Sequence, residues 1–315
     1  MSFLNACSGV FTVFLIGLIG FVLARRGLVT PNLAMVWPKF VTTIVLPPYL
    51  LRNITSTFEH DQLIPLLSGA VIPFLSIFLT FGLAAILTRM LHVADNRKGI
   101  FRTGFATSSS MNIGLPINIA LFGDVALPFV LLYFIANAIT FWTMGNYSIA
   151  HDGESAEVKF FSRQTLKQIC SPPLIGFALG MGLVFADMHL PMFIDKTFKY
   201  VGDMAIALSI MYVGVMLNGI RFSEFHFERD MLIVLAGRFC VSPLCILLLS
   251  FIFPIPPLMR NVFIIQSSLP VMMNVAILSG YYKADIKFST MITSVSTILS
   301  LMIIPLYMAL ISYFS

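Results

Sequence analysis

The chain has 315 residues, 58% of them hydrophobic and only 10% charged, with a mean hydropathy of +0.93. Soluble domains carry about 25% charged residues, so a water-soluble enzyme or binding module is excluded and the first partner implied is a lipid bilayer. The net charge of +5 matters through where the charges fall, and no nucleic-acid partner is read from it.

A helix needs about 20 apolar residues to cross the hydrocarbon. The first apolar run, 7–24, has no basic stretch before it and ends in Arg25-Arg26 rather than at a small-residue cleavage site. It reads as a transmembrane helix, not a signal peptide. Further runs follow at 33–52, 62–88, 98–122, 125–149, 165–186, 192–218, 229–253, 258–281 and 286–313, ten in all. Loops after the odd-numbered helices hold thirteen Lys and Arg residues, Arg97, Lys98, Lys159 and Arg221 among them. The opposite loops hold four: Arg52, Lys196, Lys199 and Arg260. The positive-inside rule makes the odd loops cytoplasmic. The expectation is a multi-pass protein of the cell (plasma or inner) membrane with both termini outside.

The longest polar stretch, HDGESAEVKFFSRQ at 151–164, links residues 1–150, a first five-helix repeat, to residues 165–315, a second. An odd number of helices per half inverts the second half relative to the first, as in many secondary transporters. The fourth helix of each half carries the clearest echo. One reads SSMNIGLPINIALFG (109–123) and the other QSSLPVMMNVAILSG (266–280). Each has a Ser pair, a central Pro and an Asn beyond it. Proline removes an amide donor and clashes with the preceding turn, so both helices are predicted to break, at Pro116 and Pro270. Backbone groups freed there must face protein or a wet cavity. Two broken helices at matching positions point to a midplane binding site, and the N-termini of their second halves favour an anion. The candidate site residues are Ser109, Ser110, Asn112, Gly114, Pro116 and Asn118 on the fourth helix, and Ser267, Ser268, Pro270 and Asn274 on the ninth. Asn137 and Thr140 on the fifth helix either line the site or bond neighbouring helices. The alternative for the small residues is close helix packing.

Three charges fall within the apolar runs: Lys39, Asp203 and Arg238. Lys39 is near enough to a surface to snorkel. Asp203 and Arg238 read either as an interhelical ion pair or as substrate and coupling residues, Arg238 meeting an anion and Asp203 carrying a proton. The five histidines lie in or beside loops, there is no HExxH, and Cys7, Cys170, Cys240 and Cys245 show no metal or redox spacing and read as small buried residues. No catalytic centre, metal or cofactor is expected, so the chain is not read as an enzyme. A membrane sensor without turnover stays as another class.

Several stretches together resemble the auxin efflux carrier family, which includes the plant auxin exporters and bacterial malate permeases. They are Pro47 in the second helix, NIGLPI (112–117), SPPLIGFALGMGL (171–183), VGDMAIALSIMYVGVML (201–217), SLPVMMNVAILSGYYKAD (268–285) and STILSLMIIP (296–305). The resemblance implies an all-helical fold of ten helices in two inverted five-helix repeats. It also implies a scaffold of helices 1, 2, 6 and 7, a transport domain of helices 3–5 and 8–10, and a crossing of helices 4 and 9 at Pro116 and Pro270. An elevator-like movement would carry a small organic anion, a dicarboxylate or an auxin-like acid, bound beside that crossing. A neutral or zwitterionic solute is the alternative cargo. A homodimer through the scaffold is compatible with this architecture. Many members have Asn seven positions before the helix 4 proline, where this chain has Ser109, and the long cytoplasmic loop of the plant exporters is absent.

Overall fold

A computed structural model describes residues 3–57, 66–153, 170–219 and 227–314, and every regular element in them is helical. Most of the 151–164 link lies outside the described residues, as do Lys159, Arg163, Lys167, Arg221, His60, His226 and the Cys7 side chain. In chain order the helices are α1 (Phe3–Arg25), α2 (Pro31–Phe40), α3 (Leu46–Thr57), α4 (Val71–Met90), α5 (Lys98–Ala106) and α6 (Leu115–Phe122). They continue as α7 (Leu127–Thr140), α8 (Asn146–Asp152), α9 (Pro172–Phe185), α10 (Met192–Gly202) and α11 (Met204–Asn218). The last are α12 (Arg229–Ala236), α13 (Ser242–Ile252), α14 (Pro257–Ser267), α15 (Asn274–Tyr282) and α16 (Ile286–Phe314). Wider π turns at Val41–Val45, Ser110–Gly114, Phe141–Gly145 and Gly237–Val241 lead into α3, α6, α8 and α13.

Five helical runs are long and apolar enough to cross a membrane: Leu66–Met90, Asp124–Asp152, Met192–Asn218, Arg229–Ile252 and Ile286–Tyr313. Shorter apolar helices cover Phe14–Arg25, Ser110–Phe122 and Pro172–Phe185. The chain divides into two compact units. The first comprises Met1–Gly69, Met111–Leu131 and Cys170–Ile220; the second comprises Ala70–Ser110, Leu132–Ile169 and Arg221–Ser315.

In the first unit, glycines bring helices into backbone contact. A Cβ on Gly214 of α11 would stand 1.8 Å from the Gly17 carbonyl oxygen of α1, and one on Gly20 would stand 1.9 Å from the Met211 carbonyl oxygen. A Cβ on Gly176 of α9 would fall 2.4 Å from Pro47 O on α3. Small residues are what hold helices together where lipid removes the hydrophobic drive, because only they permit such approach. Polar contacts then fix the unit. Trp37 Nε1 donates to Leu208 O at 3.1 Å, the Tyr49 hydroxyl donates to Asp124 Oδ1 at 2.9 Å, and Arg52 pairs with Asp195 at 2.9 Å.

The second unit is built around α5, nearly all of which is buried. Gly99 lets α5 lie against α8, since a Cβ there would meet Ser148 O at 2.1 Å. Asp152 accepts from the Gly99 and Ile100 amides at 2.7 and 2.9 Å. Those donors open the helix, where a carboxylate also complements the dipole. Arg97, just ahead of α5, bonds Glu228 at 2.5 Å and Asp285 at 2.8 Å and lies over the Phe288 ring, tying the starts of α5, α12 and α16. The cysteines depart from expectation. Cys170, ahead of α9, and Cys240 are exposed and Cys245 is half-buried; for the two helical ones, an apolar helix in lipid presents apolar side chains outward as readily as inward.

Gly214→Val should drive α1 and α11 apart. Overpacking of this kind costs about 1–3 kcal/mol, to be read as a lower thermal unfolding midpoint in detergent; an unchanged midpoint would contradict this packing.

Candidate functional site

Two helix breaks come together within the second unit, and backbone groups that they free find partners outside their own helices. α5 ends at Ala106. In a continuing helix the Ser109 amide would bond the Phe105 carbonyl; instead it donates to Pro270 O at 2.9 Å. α14 ends at Ser267. The Val271 amide, which would have served the Ser267 carbonyl, donates to Ser296 Oγ at 3.0 Å. Ser108 and Val271 face each other as an isolated antiparallel bridge. The non-helical stretches 107–109 and 269–272 thus meet at this bridge.

Two carbonyls, Phe105 O and Ser267 O, are thereby orphaned, and Arg238 serves both. Its Nε donates to Ser267 O at 3.2 Å, its Nη2 donates to the same oxygen, and its Nη1 reaches Phe105 O at 3.5 Å. The Ser242 hydroxyl also reaches Phe105 O, at 3.4 Å. Arg238 is 0% exposed, and among the described residues it is the one charged side chain in the buried interior. Buried Tyr133 is its neighbour. The π turn Gly237–Val241 carries Arg238, and Gly237 admits the Phe105 ring where a Cβ would fall 2.1 Å from it.

Asn137 pins the other side. Its Oδ1 accepts from the Ser108 amide at 2.9 Å, and its Nδ2 donates to Ser108 O at 2.8 Å and to Ser110 Oγ at 3.1 Å. The side-chain amide stands in for a neighbouring strand. Of the two roles open to Asn137, bonding between segments is the one observed. Thr140 bonds back to Ala136 O at 2.9 Å. Gln266 Nε2 donates to Ser110 O at 3.3 Å. Its Oε1 is buried without a hydrogen-bond partner, and the buried Ser108 hydroxyl faces Tyr133. Buried polar atoms are almost always satisfied, so Gln266 Oε1 is an atom with capacity left for a ligand or a water.

The remaining expected residues fall as follows. Ser267 and Ser268 turn their hydroxyls back to Ile264 O and Ile265 O, at 2.8 and 2.9 Å. Ser109 is buried and contributes its backbone. Asn274 opens α15, half-buried. Asn112, Gly114, Pro116 and Asn118 belong to the first unit. Asn112 helps line a small recess of about 10 Å³ there with Pro38, Met111, Ser209 and Tyr212, room for a single water. Asn118 Nδ2 donates to Gly114 O at 2.8 Å, while its buried Oδ1 has no hydrogen-bond partner.

Two expectations are corrected. The fourth-helix break lies at 107–109, not at Pro116, which sits within the helical run Ser110–Phe122, just after its π turn. The proposed ion pair is also not made: neither Asp203 nor Arg238 enters an ion pair among the described residues. Asp203 is exposed between α10 and α11, and carbonyl oxygens take the place of a carboxylate at Arg238. The residue overlooked in the sequence is Gln266. An amide side chain inside an apolar run was a readable signal.

The profile of the family described as membrane transport protein matches residues 6–308. The chain belongs to this membrane transport protein family, that of the auxin efflux carriers. An uncharacterized transporter of Methanocaldococcus jannaschii is 24% identical over 306 residues, covering 95% of this chain and 96% of that protein. An uncharacterized transporter of Methanothermobacter thermautotrophicus is 25% identical over 317 residues, covering 98% and 99%. Membership makes the chain a membrane transport protein rather than an enzyme, and the broken-helix pair is its candidate site.

Asn137→Ala would strand the buried Ser108 amide, while Ser108 O keeps the Ser110 amide at 2.8 Å. A buried group left unpaired costs about 1–3 kcal/mol, so thermal stability should fall clearly while Thr140→Val stays near wild type; equal midpoints for the two variants would contradict the pinning role.

Proposed function

We propose that this transporter is a secondary carrier of a small organic anion, a carboxylate such as a dicarboxylate or an auxin-like acid, bound beside the paired breaks. One observation carries the reading: the only buried charge among the described residues is the Arg238 guanidinium, set at the breaks with no acidic side chain to neutralise it. An Arg cannot release its proton, so it permanently offsets the negative ends of the two helices, which would otherwise draw a cationic cargo. The start of α15 adds its own partial positive charge. Gln266 Oε1 accepts, from a ligand hydroxyl or a bridging water.

Movement follows an alternating-access scheme of the elevator type, with ten crossings in two inverted repeats. The division of the chain into two units supports this. α1–α3 and α9–α11, expected of a scaffold, fall in the first unit; α4, α5, α8 and α12–α16, expected of a transport domain, fall in the second. Part of the fourth and fifth helices, Met111–Leu131, groups with the first. A scaffold-mediated homodimer and placement in the cell membrane with outward termini belong to the same proposal.

The test is uptake into proteoliposomes from a panel of labelled mono- and dicarboxylates, amino acids and neutral solutes. Accumulation of a carboxylate supports the anion reading; accumulation only of neutral or cationic solutes would reject it, and saturable binding without flux would favour a sensor. Within the active assay, Pro270→Ala should lower uptake by roughly tenfold, equivalent to about 1.4 kcal/mol, and Pro116→Ala should lower it far less. The reverse order would remove the paired breaks from the mechanism.

A further inference from the structure

On its surface the second unit carries a long groove between α13, α14 and α16, with a volume of about 610 Å³. Cavities that take a drug-sized ligand run to roughly 300–1,000 Å³. The walls are apolar: Leu244, Leu247 and Phe251 of α13, Ile264 of α14 and Leu310 of α16. Leu244, Phe251 and Leu310 are exposed, so the groove opens to the outside of the unit. Along α13 it runs from Cys240, in the π turn, to Phe251, near the helix end. Those positions are eleven apart, which is about 16 Å of helix. One leaflet of hydrocarbon, half of a 30 Å core, is about 15 Å deep.

The charge in this groove sits at one end. α14 starts just after α13 stops, which puts Arg260 and Asn261 of α14 at the Phe251 end. Arg260 enters no ion pair among the described residues. The acidic residues described in this unit, Asp95, Asp152, Glu228, Asp230 and Asp285, gather at its opposite end, at the close of α8 and the starts of α5, α12 and α16. At the far end of the groove Cys240 belongs to the π turn that carries Arg238, and the hydroxyl of Tyr307, which also lines the groove, donates to Phe239 O of that turn at 2.6 Å.

We propose that this groove is a binding site for an anionic phospholipid, with one acyl chain along α13 and the headgroup phosphate on Arg260. A guanidinium fits a phosphate with paired N–H donors, and the Asn261 amide can donate to a further oxygen. A zwitterionic lipid fills the same walls but carries its own ammonium beside the phosphate, so it gains less from Arg260. The bound chain backs the π turn behind Arg238 and so supports the paired breaks from outside the unit. This site does not rest on the carrier reading or on the identity of the cargo.

The experiment is thermal unfolding of the delipidated full-length protein in detergent, titrated with phosphatidylglycerol or phosphatidylcholine of identical acyl chains, or with glycerol phosphate. The wild-type midpoint is expected to rise by several degrees, saturably, with phosphatidylglycerol. Half of the rise should need roughly fivefold less of it than of phosphatidylcholine, the worth of one basic residue at a membrane surface. Glycerol phosphate alone should give no rise. Arg260→Gln is expected to respond to the two lipids alike, and Leu247→Trp, which fills the groove, should also erase the difference between them. Equal responses in wild type would overturn the proposal in favour of an unselective apolar groove. A rise with glycerol phosphate alone would overturn it in favour of a free-anion site. A phosphatidylglycerol preference that survives either substitution would place the lipid elsewhere; should one variant fail to fold, the other decides.

Discussion

A peptide carbonyl at membrane depth has no water to turn to, and the second unit is organised around two that the helices abandon. Once the chain leaves helical geometry at Thr107 and at Ser268, the amides and carbonyls buried there need new partners. Ser109 and Val271 find theirs in Pro270 and Ser296. The carbonyls of Phe105 and Ser267 fall to Arg238. Other features follow from that arrangement. Gly237 is small so that the arginine-bearing helix can close on Phe105, and Asn137 is an amide because a backbone segment without a neighbouring strand needs both a donor and an acceptor.

The same accounting explains why a fully buried arginine is tolerated. Burial of an isolated guanidinium is expensive, but here the desolvated charge meets the negative ends of two helices and a neighbouring phenol. Carbonyl dipoles, unlike a carboxylate, cannot be protonated away, so this balance of charge holds at any pH the membrane sees. The first unit solves a different problem by different means. There the helices stay together because glycine faces backbone across α1–α11 and α3–α9, and the polar bonds of Trp37, Tyr49 and Arg52 add direction to close packing.

The helical class, the Pro270 break and a charge within the helices at Arg238 were legible in the sequence, because proline chemistry and the rarity of charge in apolar runs are local signals. The fourth-helix break was misplaced for an equally physical reason. Nothing in Thr107, Ser108 or Ser109 forbids a helix; the chain opens there because Pro270 O and Asn137 offer better partners, and these come from remote segments. Pro116 misled because the helix runs on through it, the wider π turn Ser110–Gly114 standing where its amide would be missed. The partner of Arg238 was misjudged because side-chain letters show carboxylates, whereas the counter-charge lies in main-chain oxygens that any residue carries. Gln266 stood in plain view beside the Ser pair and lacked only the context that makes a buried amide conspicuous.

The π turns bear on how such chains change length. A π turn is an α-helix holding one residue more than its hydrogen-bond ladder requires, so deleting a residue within Phe141–Gly145 or Gly237–Val241 would restore ordinary helix while leaving the faces on either side in place. Elsewhere in a membrane helix the same deletion would rotate every later side chain by about 100°. Single-residue gaps between members of this family should therefore collect at these turns, a tolerance for insertion and deletion in the middle of spans where loops are the usual place for it.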